Sequence, residues 1–252
     1  MPLVSTPAIV LATLRYGETS KIVRLATREQ GIQSAIAKGA MRPRSRYGAA
    51  LQVLSEGAAQ YIAREGRELH TLTAFDVMHL RVGLAGQLDR YASAAAMSEV
   101  MLRLAPAAPH AESFDVMAHA LAVLEAIPAE AVESYGLRAL WQLVASLGFA
   151  PAVTRCARDG SALPGGAVRF SLTEGGALCD SCGRDRPTTE LPRQALDDLA
   201  AFLSTESDLP LLDARHLAAH RRLFARWVRT HLAEAAELPA IESWQQRSWF
   251  PG

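Results

Sequence analysis

The sequence predicts an α+β protein in which a small β-barrel precedes a mostly α-helical domain, itself interrupted by a cysteine-bearing module. Three observations carry this reading. Short apolar runs punctuated by glycine fill the chain up to about residue 80, alanine-rich sequence with few strand signals follows, and two cysteine-bearing turns fall between residues 152 and 187. A chain of 252 residues, half of them hydrophobic, is long enough to bury a substantial core.

The first region, 1–80, divides into candidate strands at 9–14, 21–27, 32–38, 51–54, 60–64 and 69–75. Gly17, Gly31, Gly39, Gly48, Gly57 and Gly66 stand at turn-like positions between or beside them. A lone antiparallel sheet of such short strands would leave its edges exposed, so closure into an OB-fold barrel is the economical expectation.

From 81 to 252 the expectation is a helical domain. Helices are predicted at 87–104, 113–127 and 130–147, bounded by Pro106, Pro109 and Pro128, and again at 193–203 and 213–235. In the third, Leu137, Leu140, Trp141, Val144 and Leu147 recur at three- and four-residue intervals, one apolar stripe that must pack on other helices.

Residues 152–187 interrupt these helices. The segments C-A-R-D-G from Cys156 and C-D-S-C-G from Cys179 form a zinc-ribbon layout with one sulfur missing. Asp159 occupies the fourth position, and a carboxylate can complete a tetrahedral site, so Cys156, Asp159, Cys179 and Cys182 are the candidate metal ligands. Zinc held by four protein ligands would be structural, since no coordination position is left for water or substrate. The alternative is a ribbon that has lost its metal.

Function classes can be excluded in turn. Three cysteines, two of them in one C-x-x-C, make a poor disulfide framework and fit a reducing, intracellular compartment. No secretory signal opens the sequence, and no apolar run is long enough to span a membrane. Phosphate-binding loops of the Walker type, a dinucleotide fingerprint and a nucleophile elbow are all missing, so the chain is read as non-enzymatic. His110-Ala111-Glu112 together with the C-x-x-C resembles elements of zinc deaminases. Leu178 precedes Cys179 where those enzymes carry proline, and no parallel α/β pattern surrounds the pair, which argues against it.

Overall charge is zero, with 26 cations and 26 carboxylates, but its distribution is uneven. Between Arg15 and Arg46, Arg15, Lys21, Arg24, Arg28, Lys38, Arg42, Arg44 and Arg46 are opposed only by Glu18 and Glu29, a local excess of six. The turn A-K-G-A-M-R-P-R-S-R-Y-G presents Lys38, Arg42, Arg44 and Arg46 for phosphates, with Lys21 and Arg24 nearby. Of the aromatic residues Tyr16, Tyr47, Tyr61 and Phe75, Tyr47 is the candidate for stacking on bases. On the last long helix, Arg215, Arg222, Arg226 and Arg229 form one stripe, opposite Leu217, Phe224 and Val228.

The segments Y-G-E-T-S-K-I-V-R-L-A-T-R-E-Q-G from Tyr16 and A-K-G-A-M-R-P-R-S-R from Ala37 resemble the opening of RecO proteins. The family's later pattern is similar to L-W-Q-L-V-A-S-L-G-F-A-P, which here leads into the cysteine module; Asp159 departs from a four-cysteine ribbon. The resemblance spans roughly residues 8–185. It implies an N-terminal OB-fold, a helical C-terminal domain and a role in DNA repair and recombination within the cytoplasm, at the nucleoid. It further implies binding to single- and double-stranded DNA, strand annealing, and recombinase loading with RecR, and indirectly RecF, on strands coated by single-strand-binding protein. Arg222 and Arg226 are candidate anchors for that protein's acidic C-terminal tail. The competing expectation is a barrel-and-ribbon adaptor that binds proteins without touching DNA.

Overall fold

The computed structural model describes residues 2–64, 66–232 and 237–247. The chain forms two compact units, Met1–Ala126 and Ile127–Gly252.

In the first, β1 (Leu3–Tyr16), β2 (Ser20–Thr27), β3 (Gly31–Ala37), β4 (Glu56–Ile62) and β5 (Leu69–His79) close into a barrel in the order β1-β2-β3-β5-β4. All neighbours are antiparallel except β3 and β5, the connectivity of an OB-type barrel. Alternation sends Val23, Leu25, Ala35, Ala37, Ala59, Tyr61 and Leu72 inward. A bulge between Val10 and Ala12 breaks that alternation, so Val10 and its neighbour Leu11 are both buried.

Residues 51–54 are not the strand their sequence suggests. Leu51 and Leu54 are buried, so their apolar character does mark core, but the backbone from Tyr47 onward makes consecutive turns that plug one end of the barrel. Leu54 sits at φ 73°, and its N–H donates to the Val10 carbonyl at 2.8 Å, while Val10 donates back to Ser55 at 2.9 Å.

Strand texture ends near residue 80, yet the compact unit continues to Ala126. It takes in α1 (Val82–Ala85), α2 (Leu88–Leu104) and α3 (Ala111–Ala126). Two devices fasten these helices to the barrel. Arg28, after β2, makes a two-pronged contact with Asp115 of α3 at 2.8 and 2.9 Å. Buried Arg81 reaches both Glu56 of β4 and Glu125 of α3. Composition changes where the sheet stops, whereas the unit ends where packing against it stops.

The second unit opens with a single 3-10 turn and α4 (Val132–Ser146). A three-stranded sheet follows, with β6 (Val168–Ser171) central between β7 (Gly176–Leu178) and β8 (Thr189–Leu191); the short α5 (Asp180–Gly183) lies between β7 and β8 in sequence. β8, which completes this sheet, follows the second cysteine turn. Then come α6 (Arg193–Leu203), α7 (Ala214–Thr230) and α8 (Pro239–Gln246).

The α4 stripe packs as its period requires: Leu137, Leu140, Trp141 and Val144 are buried, and Trp141 meets Phe224 of α7 edge-on at 5.0 Å. The Asp213 carboxylate accepts the N–H of His216 at 2.9 Å and so caps α7. That helix ends at Thr230 rather than 235, and 233–235 of the predicted span lie outside the described residues. Among the described residues, no helix is long and apolar enough to cross a membrane.

Candidate nucleic-acid interface and metal centre

The basic segment is folded against the first hairpin. The Met41 N–H donates to the Thr19 carbonyl at 2.9 Å and that of Gly39 to the Ser20 hydroxyl at 3.5 Å. The turn carrying Lys38 and Arg42 is thereby placed beside the β1–β2 turn, with Arg15 and Lys21 at its base. Lys38, Arg42, Arg44 and Arg46 are exposed, and among the described residues none of them makes an ion pair. Arg28 differs. Its guanidinium is committed to Asp115, which raises the arginine pKa and holds the carboxyl below its usual range.

Lys21 and Arg24 occupy different places. Lys21 is half-buried in the inward phase at the barrel mouth, opposite Arg15 and Ala37. Arg24 points outward, opposite Ser34, and lines a cavity of about 370 Å³ with Arg67, Gln33 and His70. That cavity is wide enough for water and has no acidic lining residue except Glu68.

Tyr47 does not offer a stacking face. It is only 3% exposed, packs in the barrel core and donates its hydroxyl to the Leu72 carbonyl at 2.7 Å. Burial pushes its phenol pKa up, and the Arg46 guanidinium lies 5.3 Å from its ring centre. Tyr61 and Phe75 are buried too, which leaves Tyr16, 52% exposed at the end of β1, as the accessible aromatic of the four. Its position next to Gly17, at a hairpin tip rather than mid-barrel, was the available signal.

The four sequence-predicted metal ligands come together. One donor atom from each of Cys156, Asp159, Cys179 and Cys182 lies within 4.8 Å of the others. The Asp159 carboxylate is 3.3 Å from Cys182 Sγ and 3.6 Å from Cys179 Sγ. Zinc with sulfur at about 2.3 Å and oxygen at about 2.0–2.2 Å spaces tetrahedral donors roughly 3.5–3.8 Å apart, so the set fits a metal with small adjustments.

Local structure builds each half of this cluster. Gly160, at φ 71°, turns the first loop back so that Cys156 can receive its N–H at 3.0 Å. Gly183 serves another purpose, since a Cβ there would come within 2.7 Å of the Arg169 side chain on β6. Cys179 caps α5 by accepting the Cys182 N–H. The Ser161 amide holds Asp159 well below the usual carboxylate range. Hydrogen bonds from Ser161 and Ser181 bring the Cys179 thiol down to about 6, whereas the adjacent Asp159 carboxylate pushes Cys182 up to about 12. A cation entering this site would release the Cys182 proton. His110 has no part in the cluster; its ring caps α3 by accepting the Ser113 N–H at 3.3 Å.

On α7 the arginines divide by partner. Arg229 pairs with Glu242, and the neighbouring Arg221 is buried against Glu133. Arg222 and Arg226 are exposed and edge a cavity of about 210 Å³ whose apolar walls are Phe170, Leu172, Leu191 and Leu223.

A closed OB-type barrel with an unpaired basic rim, followed by helices that carry a three-cysteine ribbon, defines a barrel-and-ribbon class of protein. Known sequences make the assignment specific: the family described as Recombination protein O N terminal matches residues 1–81, and Recombination protein O C terminal matches 85–237. The chain belongs to this RecO family. It is 33% identical over 240 residues to a protein of Rubrobacter xylanophilus, with 92% of each chain covered. It is 36% identical to one of Anaeromyxobacter dehalogenans, over 81% of this chain and 79% of the relative. A relative in a Nocardioides species is 33% identical, over 89% and 93%. All three carry the name DNA repair protein RecO, which denotes no catalysed reaction.

Proposed function

We propose that this chain is a non-enzymatic DNA-repair mediator. It binds single- and double-stranded DNA, anneals complementary strands, and helps load recombinase onto strands coated by single-strand-binding protein, together with RecR and RecF. The observation that carries this reading is the rim of exposed, unpaired cations at Lys38, Arg42, Arg44 and Arg46, in a family whose members are named for DNA repair.

Annealing without a nucleotide cofactor requires that two phosphate backbones approach while base edges stay free. Cations on a turn lower that repulsion by displacing condensed counterions, without reading sequence. Lys21 supports the rim from the barrel mouth, and Arg24 adds a contact on the outer wall. The Cys156, Asp159, Cys179 and Cys182 set is proposed to hold a structural zinc, which would fix the ribbon and supply no catalytic step. The apolar cavity edged by Arg222 and Arg226 suits an acidic, hydrophobic-ended tail such as that of single-strand-binding protein.

The test is a double substitution, Arg42→Ala with Arg44→Ala. Affinity for single strands should fall, and the slope of log K against log salt should flatten by about 1.4, at about 0.7 per lost phosphate contact. An unchanged slope removes this segment from the interface. Failure of the wild type to bind DNA even at low salt would favour the protein-binding adaptor.

A further inference from the structure

Building on the reading of the α7 groove as a site for acidic, hydrophobic-ended segments, we infer that a second copy of this chain occupies it in the free protein. The loop 204–213, between α6 and α7, enters the other copy's groove, and an incoming acidic tail has to displace it.

The loop presents an apolar tip behind carboxylates. Its sequence, S-T-E-S-D-L-P-L-L-D, places Glu206 and Asp208 ahead of Leu209, Leu211 and Leu212. Leu211 is 100% exposed, although a leucine side chain is ordinarily driven from water. Both ends of the loop are tied down. The Arg138 guanidinium on α4 donates to the Ser207 and Asp208 carbonyls at 2.7 and 2.8 Å, and the Ser204 hydroxyl accepts the N–H groups of Glu206 and Ser207 at 3.1 and 3.2 Å. At the other end Asp213 caps α7. Leu211 is thereby held at the start of α7, whereas Arg222 lies nine residues beyond the cap, roughly 13 Å along the helix. The tip points away from its own groove and is free for another molecule.

The groove matches that loop in chemistry and extent. Its two lobes, of about 210 and 250 Å³, share Phe170, Leu172, Thr189 and Arg226 and reach along α7 from Ala219 to Thr230. Among the described residues neither lobe is lined by a carboxylate, and Arg222, Arg226 and Glu206 make no ion pair. An apolar trough with a cationic edge selects a segment that offers leucine and carboxylate together, and it disfavours a basic one. The chain carries such a segment at the far end of the same helix. Two α7 helices antiparallel about a two-fold axis near Ala219 set each loop beside the other copy's groove, so one contact made twice closes the pair. Ala214, Ala218 and Ala219, between loop and groove, are small enough to let the helices approach, and exposed Arg215 adds to the positive edge.

The experiment is sedimentation velocity of the full chain at rising concentration, paired with binding of a labelled Asp-Asp-Asp-Leu-Phe peptide. The wild type should dimerise, and less so as salt is added. Leu211→Asp should weaken dimerisation at least about tenfold, as expected for losing one buried leucine. It should also bind the peptide several-fold more tightly than the wild type does at concentrations where the wild type is dimeric. Leu211 is fully exposed, so the melting temperature of the variant should hold. Charge reversal gives a second arm: Glu206→Arg with Asp208→Arg, or Arg222→Glu with Arg226→Glu, should each abolish pairing, and the four together should restore it. A wild type that stays monomeric to its solubility limit, or dimers indifferent to Leu211→Asp, overturns self-docking while leaving the tail reading of the groove standing. Peptide that binds neither the wild type nor Leu211→Asp overturns the tail reading, and dimerisation is then judged by sedimentation alone.

Discussion

Replacing Tyr47 by phenylalanine separates its two conceivable roles, in stability and in binding. The side chain is 3% exposed and its hydroxyl donates to the Leu72 carbonyl at 2.7 Å, so the substitution removes one buried hydrogen bond and keeps the ring. Such a bond contributes about 1 kcal/mol net. For a unit of this size that loss corresponds to roughly 3 °C in melting temperature. Tyr47→Ala also empties the plug and should cost about 3–5 kcal/mol. The reporter is built in: no tryptophan falls within residues 1–126, so tryptophan fluorescence follows the second unit, while circular dichroism, to which both units contribute, also carries the barrel transition. Tyr47→Phe should lower the barrel transition, leave the tryptophan transition in place and leave single-strand affinity unaltered. Weakened DNA binding at unchanged stability would refute the core assignment.

Two further predictions concern the second unit. Freshly purified protein should contain one zinc per chain, Asp159→Cys should retain it through chelator challenge and Asp159→Ala should lose it more readily. Because Phe170 of β6 lies 5.8 Å from the Trp227 ring, metal loss should also shift tryptophan emission; protein without metal, indifferent to chelator, contradicts the proposal. Arg222→Glu with Arg226→Glu should weaken binding of an acidic, hydrophobic-ended peptide by about 1–3 kcal/mol, roughly 5- to 150-fold, without altering the DNA salt slope. Unchanged peptide affinity in that variant would move the site elsewhere.

Much of this architecture could be read from residue patterns. Helical period placed α4, helical texture placed α6, and the spacing of Cys156, Asp159, Cys179 and Cys182 anticipated a cluster whose donor atoms do converge. What escaped depended on contacts distant in sequence. β4 begins Glu56-Gly57-Ala58-Ala59, a run with little strand propensity that is extended because β1 and β5 flank it. Leu51 and Leu54 announced burial but not backbone, and a plug of turns carries the same apolar signal as a short strand. Tyr47 is buried and Tyr16 exposed for a similar reason. An aromatic within a basic turn looks exposed until the turn is seen to fold over the barrel end, whereas one at a hairpin tip has nothing to cover it.

The measurement closest to the central claim is annealing of complementary single strands with the wild type and with Lys38, Arg42, Arg44 and Arg46 all changed to alanine. The account predicts that the wild type speeds annealing, that added salt erodes the gain, and that the quadruple variant loses both the acceleration and about 2.8 of the binding salt slope. Undiminished annealing by a folded quadruple variant would contradict it.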